Sequence, residues 1–432
     1  MVESQRRLLW GALLLVGSAP WVHACSSDDQ PATAPNPDAS PPSQDDGGAI
    51  DARVESAAGD ASDGGDASDA SDASDAGDAG DAGDAGSVAP FCKAGDDTCL
   101  DRLALGAFKL PYYRSHPFGT PNAAIQNIVL TMHGNGRNAD AYFATMAQLA
   151  FARDPVHTLV VAPHFQCTSD VVPNGDLYWG CTGWHDGHKA LNAGSPTTSY
   201  GAIDELVKAA KAAFPSAVRV TIVGYSAGAQ VVQRLIAGSV EEDATPAVKT
   251  RYVVASPGSY LYFDDRRLKV DAVCPDVAGC TIDATSFESP YYDAVACPGY
   301  NDFKYGLTNR IGYLASIADA VLPVRYVSRK VVYMVGEGDS NNTSAPTPGN
   351  ADFAALDKTC PAVAEGPTGA DPLVGSSFRL QRGLTYHRYI TLLFGAAHRI
   401  QIVPLMVGGA PCGHDQGCFL SSTFAGDEIF GP

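Results

Sequence analysis

From Val218 the chain reads Val-Arg-Val-Thr-Ile-Val and then, without a break, Gly224-Tyr225-Ser226-Ala227-Gly228-Ala229-Gln230. A β-branched apolar run of this kind is a strand covered on both faces, and the alanine-rich continuation through Ala237 has helical character. Gly-x-Ser-x-Gly between them forces the chain from strand to helix within a few residues. Glycine at 224 and 228 keeps Cβ atoms out of the crowded turn, and Ser226 occupies its apex. Such a turn lifts a hydroxyl clear of the sheet, next to a helix N-terminus that favours developing negative charge. The five-residue pattern is weak by itself; a strand before it and a helix after it make it specific.

The rest of the chain past Phe91 keeps the same rhythm. Candidate strands are Ile125–Met132, Thr158–Ala162, Val218–Val223, Tyr252–Ala255, Lys330–Val335 and Ile400–Val403. Candidate helices are Ala139–Ala152, Tyr200–Phe214, Ala227–Ala237 and Leu380–Phe394. Alternation of this kind predicts an α/β fold, a mainly parallel central sheet with helices on both faces. Two stretches interrupt it: a Cys/Trp-rich loop from His164 to Pro196 and a Tyr/Cys-rich insertion from Pro257 to Pro323.

On these residues the chain resembles the α/β-hydrolase superfamily over most of Phe91 to Pro432. The resemblance implies that fold, and a nucleophile, an acid and a histidine in that order, each on a loop after a strand. Ser226 is then the nucleophile. Gly336-Glu337-Gly338-Asp339 follows strand Lys330–Val335 and matches the acid loop, which makes Asp339 the orienting carboxylate and Glu337 the fallback. Gly408-Gly409-Ala410-Pro411-Cys412-Gly413-His414-Asp415 follows strand Ile400–Val403 and resembles the histidine loop, which makes His414 the base. His133-Gly134-Asn135-Gly136 is similar to the H-G-x-G loop of esterases and lipases, so the amides of Ala227 and of Asn135 or Gly134 are the expected oxyanion donors. His387 and His398 fall in or beside regular elements and fit structural roles better.

Acidic residues outnumber basic ones by 48 to 29. Sixteen of them lie between Ser26 and Val88 against Arg53 alone, with Asp at every third position from Asp60 to Asp84. This tract has little to bury and repels itself, so residues 26–88 are expected to be a disordered tether. The remainder carries only a modest negative excess, unremarkable for an enzyme, and no nucleic-acid partner is expected. Before the tract, Arg6 and Arg7 precede the apolar run Leu8–Val16, the order of an export signal. Val22-His23-Ala24-Cys25 resembles a bacterial lipobox, with His23 departing from the usual small residue. Residues 1–25 are therefore expected to be a signal peptide whose Cys25 takes a lipid anchor, with 89–432 as the catalytic domain. The chain would be exported and held at a bacterial membrane, the outer membrane or cell surface, or secreted.

Without Cys25, ten cysteines remain, an even number that suits an oxidising compartment. Close spacing suggests Cys92–Cys99, Cys167–Cys181, Cys274–Cys280 and Cys412–Cys418, which leaves Cys297 and Cys360 to pair. No C-x-x-C spacing occurs, and His185 and His188 around Asp186 lack a third ligand, so no metal is expected. No cofactor is expected either. Trp179, Trp184, Tyr260, Tyr262, Tyr291, Tyr292, Tyr300 and Tyr305 concentrate in the two interruptions, positioned either to wall an acyl or sugar-ester pocket or to pack the insertion onto the body. The expected activity is cleavage of carboxylic esters in a small molecule or polymer through an acyl-Ser226 intermediate. Peptidase or amidase activity on the same triad and a catalytically silent binding module are the alternatives.

Overall fold

A computed structural model describes residues 91–269, 272, 280–290, 299–339, 378–403 and 412–431. Cys25, the Asp-rich tract, Tyr291, Tyr292, Cys274, Cys297, Cys360 and residues 408–411 of the histidine loop lie outside the described residues.

The main elements, in chain order, are β1 (Leu100–Leu105), β2 (Phe108–Arg114), β3 (Asn127–Met132), α1 (Ala139–Arg153), β4 (Thr158–Pro163), α2 (Ser199–Ala213), β5 (Arg219–Tyr225), α3 (Ala227–Gly238), β6 (Lys249–Ala255), α4 (Val321–Ser328), β7 (Val331–Gly336), α5 (Phe378–Phe394), β8 (Arg399–Val403), α6 (Gln416–Ser421) and α7 (Thr423–Phe430). Among the described residues, eight strands form one sheet in the order β1-β2-β4-β3-β5-β6-β7-β8. From β4 to β8 every neighbouring pair is parallel; β2 alone runs the other way, antiparallel to both β1 and β4.

Strand residues alternate between two apolar layers, as a pleated sheet requires. Ile128, Leu130, Leu159, Val161, Val220, Ile222, Val254 and Val335 face a core that includes buried residues of α2, α3 and α5. Val129, Val160, Val223, Val253, Val332 and Met334 face the other, against Phe143 and Met146 of α1, Phe419 of α6 and Ile429 of α7. Helix α3 is buried along its whole length, which explains why its sequence carries Val, Leu, Ile and Ala all round rather than on one stripe. Its polar side chains are satisfied internally: Arg234 donates to the Gln230 and Lys304 carbonyls and to the Ser259 hydroxyl, and Gln233 donates to the Tyr326 and Tyr386 hydroxyls.

The aromatic insertions pack rather than line a cleft. Trp179, Trp184, Tyr260, Tyr262, Tyr300 and Tyr305 are all buried. Tyr260 stacks on Tyr386 at 4.4 Å between centroids, and Trp184 stacks on Phe165 at 5.6 Å. The disulfides Cys92–Cys99, Cys167–Cys181 and Cys412–Cys418 are formed as the spacing suggests, and Cys280 is also disulfide-bonded.

Candidate active site

The carboxyl ends of β3, β5, β6, β7 and β8 lie side by side in the sheet, and the loops that leave β3, β5, β7 and β8 converge. At the end of β5 the chain makes the turn that its glycines permit. A Cβ on Gly224 would fall 2.2 Å from the Gly228 carbonyl oxygen, and one on Gly228 would fall 2.5 Å from that of Met132. Ser226, at the apex, has φ 55° and ψ −118°, a conformation that costs a non-glycine residue on the order of 1–3 kcal/mol. The Ser226 amide donates to the Ala255 carbonyl at 3.0 Å, which holds the apex against β6.

Opposite this hydroxyl stands His414, whose Nε2 is 2.9 Å from Ser226 Oγ and whose Nδ1 is 3.1 Å from Asp339 Oδ2. Asp339 is buried and receives a second contact from Arg379 Nη1 on α5, 3.4 Å from Oδ1. Burial pushes the Asp339 carboxyl up, but the hydrogen bond and charge of His414 and the charge of Arg379 outweigh it and hold the group below its ordinary value. An ionised Asp339 fixes the imidazole with its proton on Nδ1 and Nε2 free to accept from the serine. The fallback Glu337 is exposed, and its amide merely ties the acid loop to the Val403 carbonyl.

The acid and histidine loops are bound to each other: Gly338 N–H donates to the Cys412 carbonyl at 2.9 Å. Cys412 and Cys418 bracket His414 in a disulfide, and Asp415 caps α6 by accepting from the Cys418 amide. The Tyr225 ring supports the imidazole from behind, with centroids 4.9 Å apart and planes at 29°.

At the end of β3, His133 is buried and held down to about 3 by desolvation, so it is neutral. Its Nε2 accepts from the Phe165 amide at 3.0 Å, which leaves Nδ1 protonated to donate to the Gly134 carbonyl at 2.9 Å. A Cβ built on Gly134 would lie 3.9 Å from Ser226 Cβ, so this loop flanks the nucleophile. Ala227 begins α3, and its amide is one of the four N-terminal donors with no acceptor within the helix. Asn135 is exposed, and its carbonyl accepts from Arg137. Arg137, in left-handed backbone (φ 57°), grips Asp170 with two 2.9 Å bonds and so fastens this loop to the segment carrying Cys167–Cys181.

Thus Ser226, His414 and Asp339 meet in one relay, with Gly134 and Ala227 beside it. The strand order, the lone reversed β2 and the serine, acid and histidine loops after β5, β7 and β8 decide the architecture. This is the α/β-hydrolase fold. No known family model matches the chain, and no curated protein matches it. Among solved structures the chain is similar to poly(aspartic acid) hydrolase-1 from Sphingomonas sp. KT-1, at 18% identity, covering 77% of this chain and 98% of that one with a TM-score of 0.46. It is also similar to LpqC, a poly(3-hydroxybutyrate) depolymerase from Bordetella parapertussis, at 18% identity over 75% and 84% of the two chains with a TM-score of 0.45. The siderophore hydrolase EstA from Aspergillus nidulans follows at 12% identity, 70% and 86% coverage and a TM-score of 0.34.

Sequence reasoning missed Arg379, Arg137 and the Tyr225 platform. Arg137 carried a usable signal, a large charged residue inside a glycine-rich loop, but its partner Asp170 is remote in sequence. His387 and His398 lie away from the relay: His387 Nε2 bonds the His398 carbonyl, and His398 is buried against Tyr333 and Tyr326.

Proposed function

We propose that this protein is a membrane-tethered serine hydrolase that cleaves carboxylic esters through an acyl-Ser226 intermediate. The observation that carries the reading is the continuous relay of Ser226 Oγ, His414 Nε2, His414 Nδ1 and Asp339 Oδ2, with links of 2.9 Å and 3.1 Å. In this reaction Ser226 Oγ attacks the ester carbonyl while His414 Nε2 takes its proton. The negative oxygen faces the Ala227 amide and the Gly134 side of the neighbouring loop. Collapse expels the alcohol, which leaves with the proton from His414, and water repeats the sequence to release the acid. The partly open position of Ser226 suits an ester carbonyl approaching from solvent. Tethering through a lipid on Cys25 rests on the lipobox resemblance and the Asp-rich tract that follows it.

Fluorophosphonate labelling of the purified protein, followed by peptide mass mapping, tests nucleophile activation without a guess at the substrate. Label is expected on Ser226 and is lost in Ser226→Ala and His414→Ala. A folded, oxidised sample that takes no label, or takes it elsewhere, rejects the reading. Paired ester and amide substrates then decide the bond cleaved, and membrane fractionation of Cys25→Ala tests the tether.

A further inference from the structure

One polar group at the nucleophile has no part in the relay. Tyr142 lies in the first turn of α1, and its side chain belongs to the apolar layer with Phe143 and Met146, leaving only 7% of the residue exposed. Its hydroxyl, however, leaves that layer. A Cβ on Gly134 would fall 2.6 Å from Tyr142 Oη and 3.9 Å from Ser226 Cβ. The phenol oxygen and the serine therefore both lie within 4 Å of the same missing Cβ, and Gly134 is the residue whose lack of a side chain lets the phenol reach this place. The Gly134 backbone N–H is a hydrogen-bond partner of the phenol oxygen, while among the described residues no side chain or carbonyl accepts the phenol proton.

We propose that Tyr142 is a further catalytic residue, whose phenol O–H donates a hydrogen bond to the oxyanion of the tetrahedral intermediate alongside the Ala227 amide. This rests on the acyl-Ser226 reading. Three features on the page fit the role. The group is a donor at every working pH, because burial pushes the phenol above its ordinary value. It is held by a packed ring, so it is oriented before the substrate arrives, and pre-oriented donors in a water-poor site are the effective ones. It also places a side-chain donor on the β3 side of the nucleophile, where the Gly134 position is overhung by the phenol. No proton is transferred; the hydrogen bond strengthens as the carbonyl oxygen gains charge and weakens on collapse.

Tyr142→Phe keeps the ring and removes the donor. The test measures kcat and KM on a p-nitrophenyl ester, the thermal midpoint, and the affinity of a trifluoromethyl ketone, whose adduct with the serine bears an oxyanion. Loss of one such donor lowers kcat by about 10²-fold, with KM and the thermal midpoint little changed. The ketone weakens by the same factor, while fluorophosphonate still reaches Ser226. Installing 3-fluorotyrosine at 142, which keeps the ring and sharpens the donor, holds kcat at or above the native value even if Tyr142→Phe folds poorly. Full kcat in Tyr142→Phe, or a loss of kcat that the ketone affinity does not follow, overturns the proposal. If the native protein itself takes no label on Ser226, the hydrolase reading fails first and this one with it.

Discussion

His398 gives the fold a specific weakness to acid. The ring is buried between Tyr333, whose hydroxyl is 3.1 Å from Nδ1, and the Tyr326 carbonyl, 3.1 Å from Nε2. This pairing holds a neutral imidazole with its proton on Nε2. Burial, helped by nearby His387, brings the group down to about 4. Protons therefore bind the unfolded chain first once the pH falls below the ordinary histidine value of about 6.5. Stability from this residue is complete above that value and is lost as the pH falls, the loss levelling off below about 4. At pH 5, about 1.5 units into the window, the loss is about 2 kcal/mol. The perturbation is His398→Gln, which does not titrate and whose amide retains a donor and an acceptor. Urea unfolding at pH 7 and pH 5 supplies the assay. The native chain exceeds the variant at pH 7 by whatever packing the ring provides, and that margin shrinks by about 2 kcal/mol at pH 5. Asp204 and Glu242, held above their ordinary values by burial, act in the opposite sense but cancel in the difference. An equal margin at both pH values would refute the reasoning.

Two further expectations concern the relay. Asp339→Asn removes the charge that orients His414 and is expected to lower kcat by about 10⁴-fold with the thermal midpoint nearly intact; steady-state kinetics on any accepted ester checks this, and a loss below tenfold would deny Asp339 its orienting role. Replacing both Cys412 and Cys418 by Ser opens the loop that carries His414, with an expected loss of about 2 kcal/mol in stability and about 10²-fold in kcat from misplacement of the imidazole. Unchanged kcat in the folded double variant would show that the hydrogen bonds to the acid loop suffice.

The parts of this fold legible in the sequence were those with a strong local rule. β5 is a continuous apolar strand, and the glycine spacing at 224 and 228 permits one turn shape, so the elbow could be located to the residue. Asp339 and His414 were reachable because each follows a strand whose apolar run stands out. The hairpin of β1 and β2 was not foreseen: β1 buries no residue fully, β2 carries Pro111, and neither presents a clean alternation. The aromatic residues left two readings open, pocket wall or packing, for another reason. An aromatic ring in a loop after a strand has the same sequence signature whether it lines a cleft or fills a core, and only packing decides. Here Tyr260, Tyr262, Tyr386 and Tyr389 pack on one another. Tyr142 was lost to the same ambiguity, since a tyrosine on the apolar stripe of a helix reads as core until its hydroxyl is located.

The stack at the β3 loop also makes the molecule its own optical reporter. The sequence holds four tryptophans, and two of them, Trp10 and Trp21, belong to the expected leader. The other two, Trp179 and Trp184, both contact Phe165, and Trp184 lies 4.5 Å from His133, the neutral imidazole that shapes the turn at Gly134. Indole emission from a leaderless chain thus originates within one cluster at the β3 loop, while the tyrosine-rich insertion absorbs but contributes little at the red edge. Excited there, the chain is expected to signal any rearrangement of that loop without an added dye, and emission unchanged by covalent labelling of Ser226 would contradict this.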